Sequence, residues 1–228
     1  MGNMVEELQS QLNCETVFTI PIFGGLAVDE GVVVTWIIIV FLAVLCFALT
    51  RNMKVQNIGR RQLVVETAVT SLQNIVNGIV GPEGKSYAPY LASVLVYLGF
   101  ANLIGLIGFK PPTKDLNVTA ALAIISIVLI EFAGIHKKGP KKWIKSFAEP
   151  IAIVTPINIL EVFIKPLSLC MRLFGNVLAA FVIMELIKLV VPIFIPAVFS
   201  CYFDIFDGLI QAYVFVFLTG LFIKEAVE

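Results

Sequence analysis

The chain has 228 residues, 59% hydrophobic and only 14% charged, with a mean hydropathy of +0.96. Soluble domains carry about 25% charged residues, so this composition excludes a water-soluble enzyme and points to a polytopic membrane protein in contact with lipid. Sixteen Lys and Arg balance sixteen Asp and Glu, so no net basic charge marks a nucleic-acid binder, and what matters is how the charges are segregated along the chain.

The opening stretch, MGNMVEELQSQLNCETVF, has acids and no base. It lacks the basic and apolar regions of a signal peptide, so these residues are expected to remain in the mature protein. Residues 1-31 read as an outer N-terminal segment. VVVTWIIIVFLAVLCFAL, Val32 to Leu49, is 18 residues without a charge and predicts a first transmembrane helix over 32-50. The connection 51-86 follows. In it Leu63, Val64, Ala68, Val69, Leu72, Ile75, Val76 and Ile79 recur at helical spacing, which predicts an amphipathic helix lying along the membrane surface. Two apolar runs, Tyr87 to Phe109 and Val118 to Ile135, flank a Pro-Pro turn and predict a transmembrane hairpin over 87-136. A basic loop, 137-150, surrounds the lysines of HKKGPKKWIK.

From Ile151 to Val191 only Glu161, Lys165, Arg172, Glu185 and Lys188 are charged. One straight helix of that length would run about 60 Å against a hydrocarbon core of about 30 Å. The stretch must therefore break, lie steeply tilted, or both, and Pro156 and Pro166 are the natural places for a break, which leaves Leu167 to Val191 as one long helix. Pro192 and Pro196 then mark a turn, and Tyr202 to Ile223 returns, so 151-228 is a tilted helical hairpin. The fold class is all-α, with about five membrane crossings.

Basic residues in short loops set the orientation. Five acids and no base precede Val32, whereas Arg51, Lys54, Arg60, Arg61 and Lys85 fall in the next connection and five lysines in the basic loop. The N-terminus is expected outside and the C-terminus in the cytoplasm. Cys14, Cys46, Cys170 and Cys201 are scattered singly and His136 is the only histidine, so no metal and no cofactor is expected.

Arg172 sits in an otherwise apolar stretch. A charge at the bilayer centre costs about 2.5 to 3.5 kcal/mol on insertion scales. One reading is snorkelling of its long stem to the nearer interface. Its neighbours support another, because Asn176 is one turn on and points the same way, while Asp204, Asp207 and Gln211 form a polar stripe at i, i+3 and i+7 on the last helix. Such a stripe also serves as hydrogen-bonding glue between helices. With no acid at the i±4 positions, the counter-ion of Arg172 is sought on another subunit.

TWIIIVFL in the first span, PPTKDLNVTAALA (Pro111 to Ala123), KPLSLCMRLFGN (Lys165 to Asn176) and LIQAYVFVFLT (Leu209 to Thr219) together resemble subunit a of F-type ATP synthase, along nearly the whole chain. The resemblance implies a non-catalytic stator subunit of a bacterial cell membrane, working with a ring of c subunits, peripheral-stalk b subunits and the other synthase subunits. It makes Arg172 the essential arginine facing the ring, between two offset ion half-channels, with Ser168, Asn176 and Gln211 at matching positions. In many bacterial members an acid stands nine residues after the arginine and a histidine seven before the glutamine. Here those positions hold Phe181 and Asp204, so Glu185 and Asp204 are expected to line the outer half-channel together, with Asp207 beside them. The resemblance leaves proton against sodium open. The rival reading is a self-contained secondary transporter with Arg172 binding an anion, against which stands the lack of an internal repeat.

Overall fold

A computed structural model of the chain describes residues 16–20, 26–51, 53–54, 59–107, 109–147, 153, 155–190 and 199–227. The acidic first residues and the Pro192–Pro196 turn lie outside the described residues. A short antiparallel hairpin, β1 (Thr16–Ile20) with β2 (Leu26–Asp29), leads into α1 (Glu30–Thr50). Then follow α2 (Arg60–Val80), α3 (Ala88–Leu103), α4 (Leu116–Lys138), the short α5 (Pro140–Ser146), α6 (Thr155–Val190) and α7 (Gly208–Val227), the last preceded by a π-helical segment, Cys201–Asp207. The fold is a polytopic helical bundle, as expected. The hairpin and α5 are additions that the sequence reading missed.

Six helical segments have the length and apolarity to cross a membrane, α2 among them. Side-chain contacts decide which ones do. At one end of the bundle Lys110 pairs with Glu30 at 2.9 Å, Asn117 Nδ2 donates to Asp29, and a Cβ on Gly31 would lie 2.9 Å from Asp115. At the other end Lys137 pairs with Glu83 and Lys165 with Glu225. Arg61, in the first turn of α2, donates to the Ala48 carbonyl at the far end of α1, and Glu83, just past the last turn of α2, meets the far end of α4. Both ends of α2 therefore lie at one end of the bundle, and it does not cross. Its first four turns are largely exposed, and only Val76 and Val80 are buried, against α7 where Gly220 lets Ile79 and Val80 approach.

Helix α7 forms the axis of the bundle, packed on α3, α4 and α2. Its Ala212, Phe215, Val216 and Ile223 are buried in one cluster with Leu91, Leu98, Ile130, Leu169 and Leu173. Asp115 caps α4 by accepting from the Asn117 amide at 2.8 Å.

The expected break at Pro166 is corrected, while Pro156 stands in the first turn of α6, where the helix begins. Helix α6 is continuous for 36 residues and carries Pro166 inside it. Proline removes one backbone hydrogen bond and crowds the preceding turn, yet in hydrocarbon every alternative to a helix leaves more groups unpaired. At about 54 Å the helix exceeds the hydrocarbon core, so it lies obliquely. From Cys170, whose Sγ is 3.7 Å from Thr119 Oγ1, to Phe181, which lies under Lys114, it advances about 16 Å while moving past only the first turns of α4.

Candidate functional site

The oblique course of α6 gives it two unlike faces. Leu169, Cys170 and Leu173 are buried in the bundle. Ser168, Arg172 and Asn176 recur every four residues on the other side and are exposed, with Gly175 and Ala179 beside them. Among the described residues Arg172 makes no hydrogen bond or ion pair, so its guanidinium stands bare on the outside of an apolar bundle. Seven residues nearer the basic end, Lys165 by contrast pairs with Glu161 at 3.1 Å and Glu225 at 3.3 Å.

Asn176 links this face to the interior. Its Nδ2 donates to Oε1 of Gln211 at 2.7 Å. Gln211 is 4% exposed, and its own Nε2 is a buried donor without a protein partner. It also lines a cavity of about 540 Å³ whose wall extends to Lys110, the partner of Glu30. Asp204, Asp207, Lys110 and Lys188 bring charge to its wall, while Phe109, Phe181 and Met184 supply apolar surface.

The π-helical segment positions these acids. A π turn is wider than an α turn and often marks a functional site. Here it ends at Gly208, whose carbonyl accepts from Asn102 Nδ2 at 2.8 Å, and Asn102 Oδ1 in turn accepts from Thr113 Oγ1 at 2.9 Å. Asp204 is held by Ser200 Oγ at 2.6 Å and has room because Gly105 faces it: a Cβ there would lie 2.9 Å from Oδ1.

The structure thus brings Asp204, Asp207 and Gln211 to one cavity and joins Asn176 to them through Gln211. Ser168 and Arg172 lie apart from that cavity, on the exposed face. Glu185 is in α6 between Met184 and Lys188, which line the cavity, but its side chain lies outside the described residues. Phe181, where an acid was sought, lies with its ring centroid 3.6 Å from Nζ of Lys114, a lysine only 6% exposed. Sequence reasoning passed over Asn102 and Lys114. Their signals were present, as an amide in the apolar run FANLIG and a lysine inside PPTKDLNVT.

Asp115, next to Lys114, is buried with Oδ2 unpartnered. Burial raises its pKa above the ordinary carboxylate value; the Asn117 amide opposes this and the Asp29 charge adds to it. It lies at the cap of α4, outside the span.

The chain is 34% identical over 205 residues to ATP synthase subunit a 2 of a Bradyrhizobium species, covering 90% of this chain and 91% of that one. It is 34% identical over 206 residues to ATP synthase subunit a of Moorella thermoacetica, covering 90% and 94%. It is 30% identical over 219 residues to a Propionigenium modestum protein named ATP synthase subunit a, sodium ion specific, covering 89% and 75%. The family profile described as ATP synthase A chain matches residues 32–224, from α1 into α7 and across the α6–α7 site, and the chain belongs to that family.

Proposed function

We propose that the exposed face of α6 centred on Arg172 meets a rotating ring of c subunits, and that the cavity beside it is the outer half-channel through which ions reach the ring. The observation that carries this reading is the bare guanidinium of Arg172 on the bundle surface. An unpartnered charge is rare in hydrocarbon, and a carboxylate brought by another subunit supplies its counter-ion. Gly175 and Ala179 let such a partner approach closely.

Guanidinium stays protonated, so it neither relays a proton nor titrates away. It lowers the pKa of a carboxylate that comes near and so promotes release of the bound ion, while repelling cations that would leak past it. Ser168 and Asn176 flank it as hydrogen-bonding groups, and Asn176 connects to Gln211 and hence to the cavity holding Asp204 and Asp207. Together these offer an ion a polar path through the Glu30–Lys110 end, with Glu185 assigned to the same path from its place in α6. The Glu161, Lys165 and Glu225 cluster marks the opposite end, where the ion leaves. The force is the membrane potential, about 2.3 kcal/mol per charge per 100 mV, with the ion gradient.

In this reading the N-terminus is outside, the basic end is cytoplasmic and the membrane is the bacterial inner membrane. The peripheral-stalk b subunits hold the chain against rotation. The subunit catalyses nothing itself, since ATP chemistry belongs to other subunits. The test is ATP-driven ion pumping by the purified complex in proteoliposomes, wild type against Arg172→Ala, each with and without sodium. Loss of pumping from an assembled variant complex is expected, and the sodium arm identifies the ion. Normal pumping by the variant would reduce Arg172 to a structural residue.

A further inference from the structure

The basic segment after α4 is a shaped element with a face that nothing described so far occupies. Gly139, at φ +79°, turns the chain sharply, and α5 (Pro140–Ser146) then folds back along the last turns of α4. The fold-back is fixed by Trp143. Its Nε1 donates to Glu131 at 3.0 Å, its ring lies 4.9 Å edge-on from Phe147, and a Cβ on Gly134 would lie 3.4 Å from Cδ1. Phe147 in turn presents its carbonyl to Asn158 Nδ2 at 2.9 Å, tying the end of α5 to the first turn of α6.

This places α5 in depth. Helix α4 has 23 residues, about 34 Å, a little more than the hydrocarbon core. Glu131 lies seven residues before its end, so α5 runs alongside the last 10 Å or so of a spanning helix and lies at headgroup level. With Trp143 turned inward, the outer face carries Lys141, Ile144 and Lys145 at i, i+3 and i+4, with Lys142 adjacent, and all four are exposed. Ile144 is 65% exposed, a poor state for it in water. Lys141, Lys142 and Lys145 have no ion-pair partner among the described residues, in which Glu131 is engaged by Trp143 and Glu83 by Lys137.

We propose that α5 is an in-plane anchor that binds anionic phospholipid headgroups, with Ile144 entering the acyl boundary and Lys141, Lys142 and Lys145 taking the phosphates. An exposed aliphatic side chain flanked by cations at headgroup depth is the pattern of an interfacial helix. The bond from Asn158 to Phe147 then makes the anchor hold the start of α6 at the membrane surface. An acidic segment of a soluble partner would match the lysines but would leave Ile144 in water, which is why lipid is the assigned occupant.

The test uses the full chain with Trp36→Phe, in nanodiscs, so that Trp143 is the reporter. Brominated phosphatidylglycerol and brominated phosphatidylcholine are compared as quenchers. Each basic residue at an anionic surface is worth roughly a fivefold change in local binding, so quenching by the anionic lipid is expected at a mole fraction at least about fivefold lower. K141Q/K142Q/K145Q should abolish that preference, whereas a control removing other charges at the same end, K54Q/R60Q/K85Q, should leave most of it. Equal quenching by the two lipids, or equal loss in the control, overturns the proposal. If the preference is absent and the triple variant instead stops co-purifying with the other synthase subunits, the face is a protein interface and the lipid assignment falls.

Discussion

Gly208→Ala tests whether the π segment is held by contact with α3. A Cβ at 208 would lie 2.9 Å from Asn102 Cβ, against the 3.5 to 4.0 Å that carbon atoms prefer. The obstacle is the base of a buried side chain, which cannot swing away, so α3 and α7 must part by about 0.6 to 1 Å. Overpacking of this kind costs about 1 to 3 kcal/mol. Parting also stretches the 2.8 Å bond from Asn102 to the Gly208 carbonyl, for about 1 kcal/mol more. A total of about 2 to 4 kcal/mol lowers the unfolding midpoint of a chain this size by roughly 4 to 15 °C, measurable by thermal unfolding of the purified subunit in detergent. Because Asp204 and Asp207 precede Gly208 directly, ion pumping should also fall. Asn102→Gly removes the obstructing carbon, at its own cost of two lost hydrogen bonds, to Gly208 and from Thr113, and a helical glycine. The double variant should be more stable than the two single effects predict, by about 1 to 2 kcal/mol. Wild-type stability in Gly208→Ala, or strict additivity in the cycle, would refute the reasoning.

Gly105→Ala places its methyl 2.9 Å from Oδ1 of Asp204, the movable end of a side chain. Stability should change by less than about 1 kcal/mol while pumping slows several-fold, and comparison of melting with proteoliposome assays checks the split. Asp115→Asn should keep the α4 cap, because Asn caps as well as Asp. The raised pKa of Asp115 means that the native state binds its proton more tightly, so wild-type stability falls as pH rises from the ordinary carboxylate range through the native pKa. The variant should lose that slope and be at least as stable at pH 7, as unfolding midpoints across pH 4 to 7 would show. Lys165→Ala breaks two ion pairs and a contact 5.0 Å from the Phe222 ring centroid. With both acids largely exposed, the loss should be about 1 kcal/mol and should shrink in high salt, as melting at two ionic strengths would test.

Apolar runs and prolines carry most of this fold in readable form. Length and hydropathy admit six crossings; the one-sided pattern of α2 sets it apart from the other five, and the contacts of Arg61 and Glu83, which put both its ends at one end of the bundle, agree with that reading. Pro166 misled because the cost of a helical proline depends on solvent, and in lipid an interrupted helix is the worse choice. The polar stripe on the last helix was legible as spacing, although Asp204, Asp207 and Gln211 reach one cavity through a π turn that spacing does not encode. Asn102 and Lys114 were hidden for another reason. Their partners, Gly208 and Phe181, are 106 and 67 positions away, and nothing local announces a contact over that separation.

The bare guanidinium on α6 also bears on how the chain is made and kept. A copy inserted alone must hold a permanent cation against acyl chains, distort the bilayer, or draw water in beside it, at a cost of a few kcal/mol. Net stabilities of folded domains are about 5 to 15 kcal/mol, so this is a sizeable share of what holds an orphan copy together. If a ring subunit covers Arg172 as proposed, a copy without that partner should open more often and be more readily cleaved by membrane proteases. On that reading, supply of the other subunits sets how long this one survives.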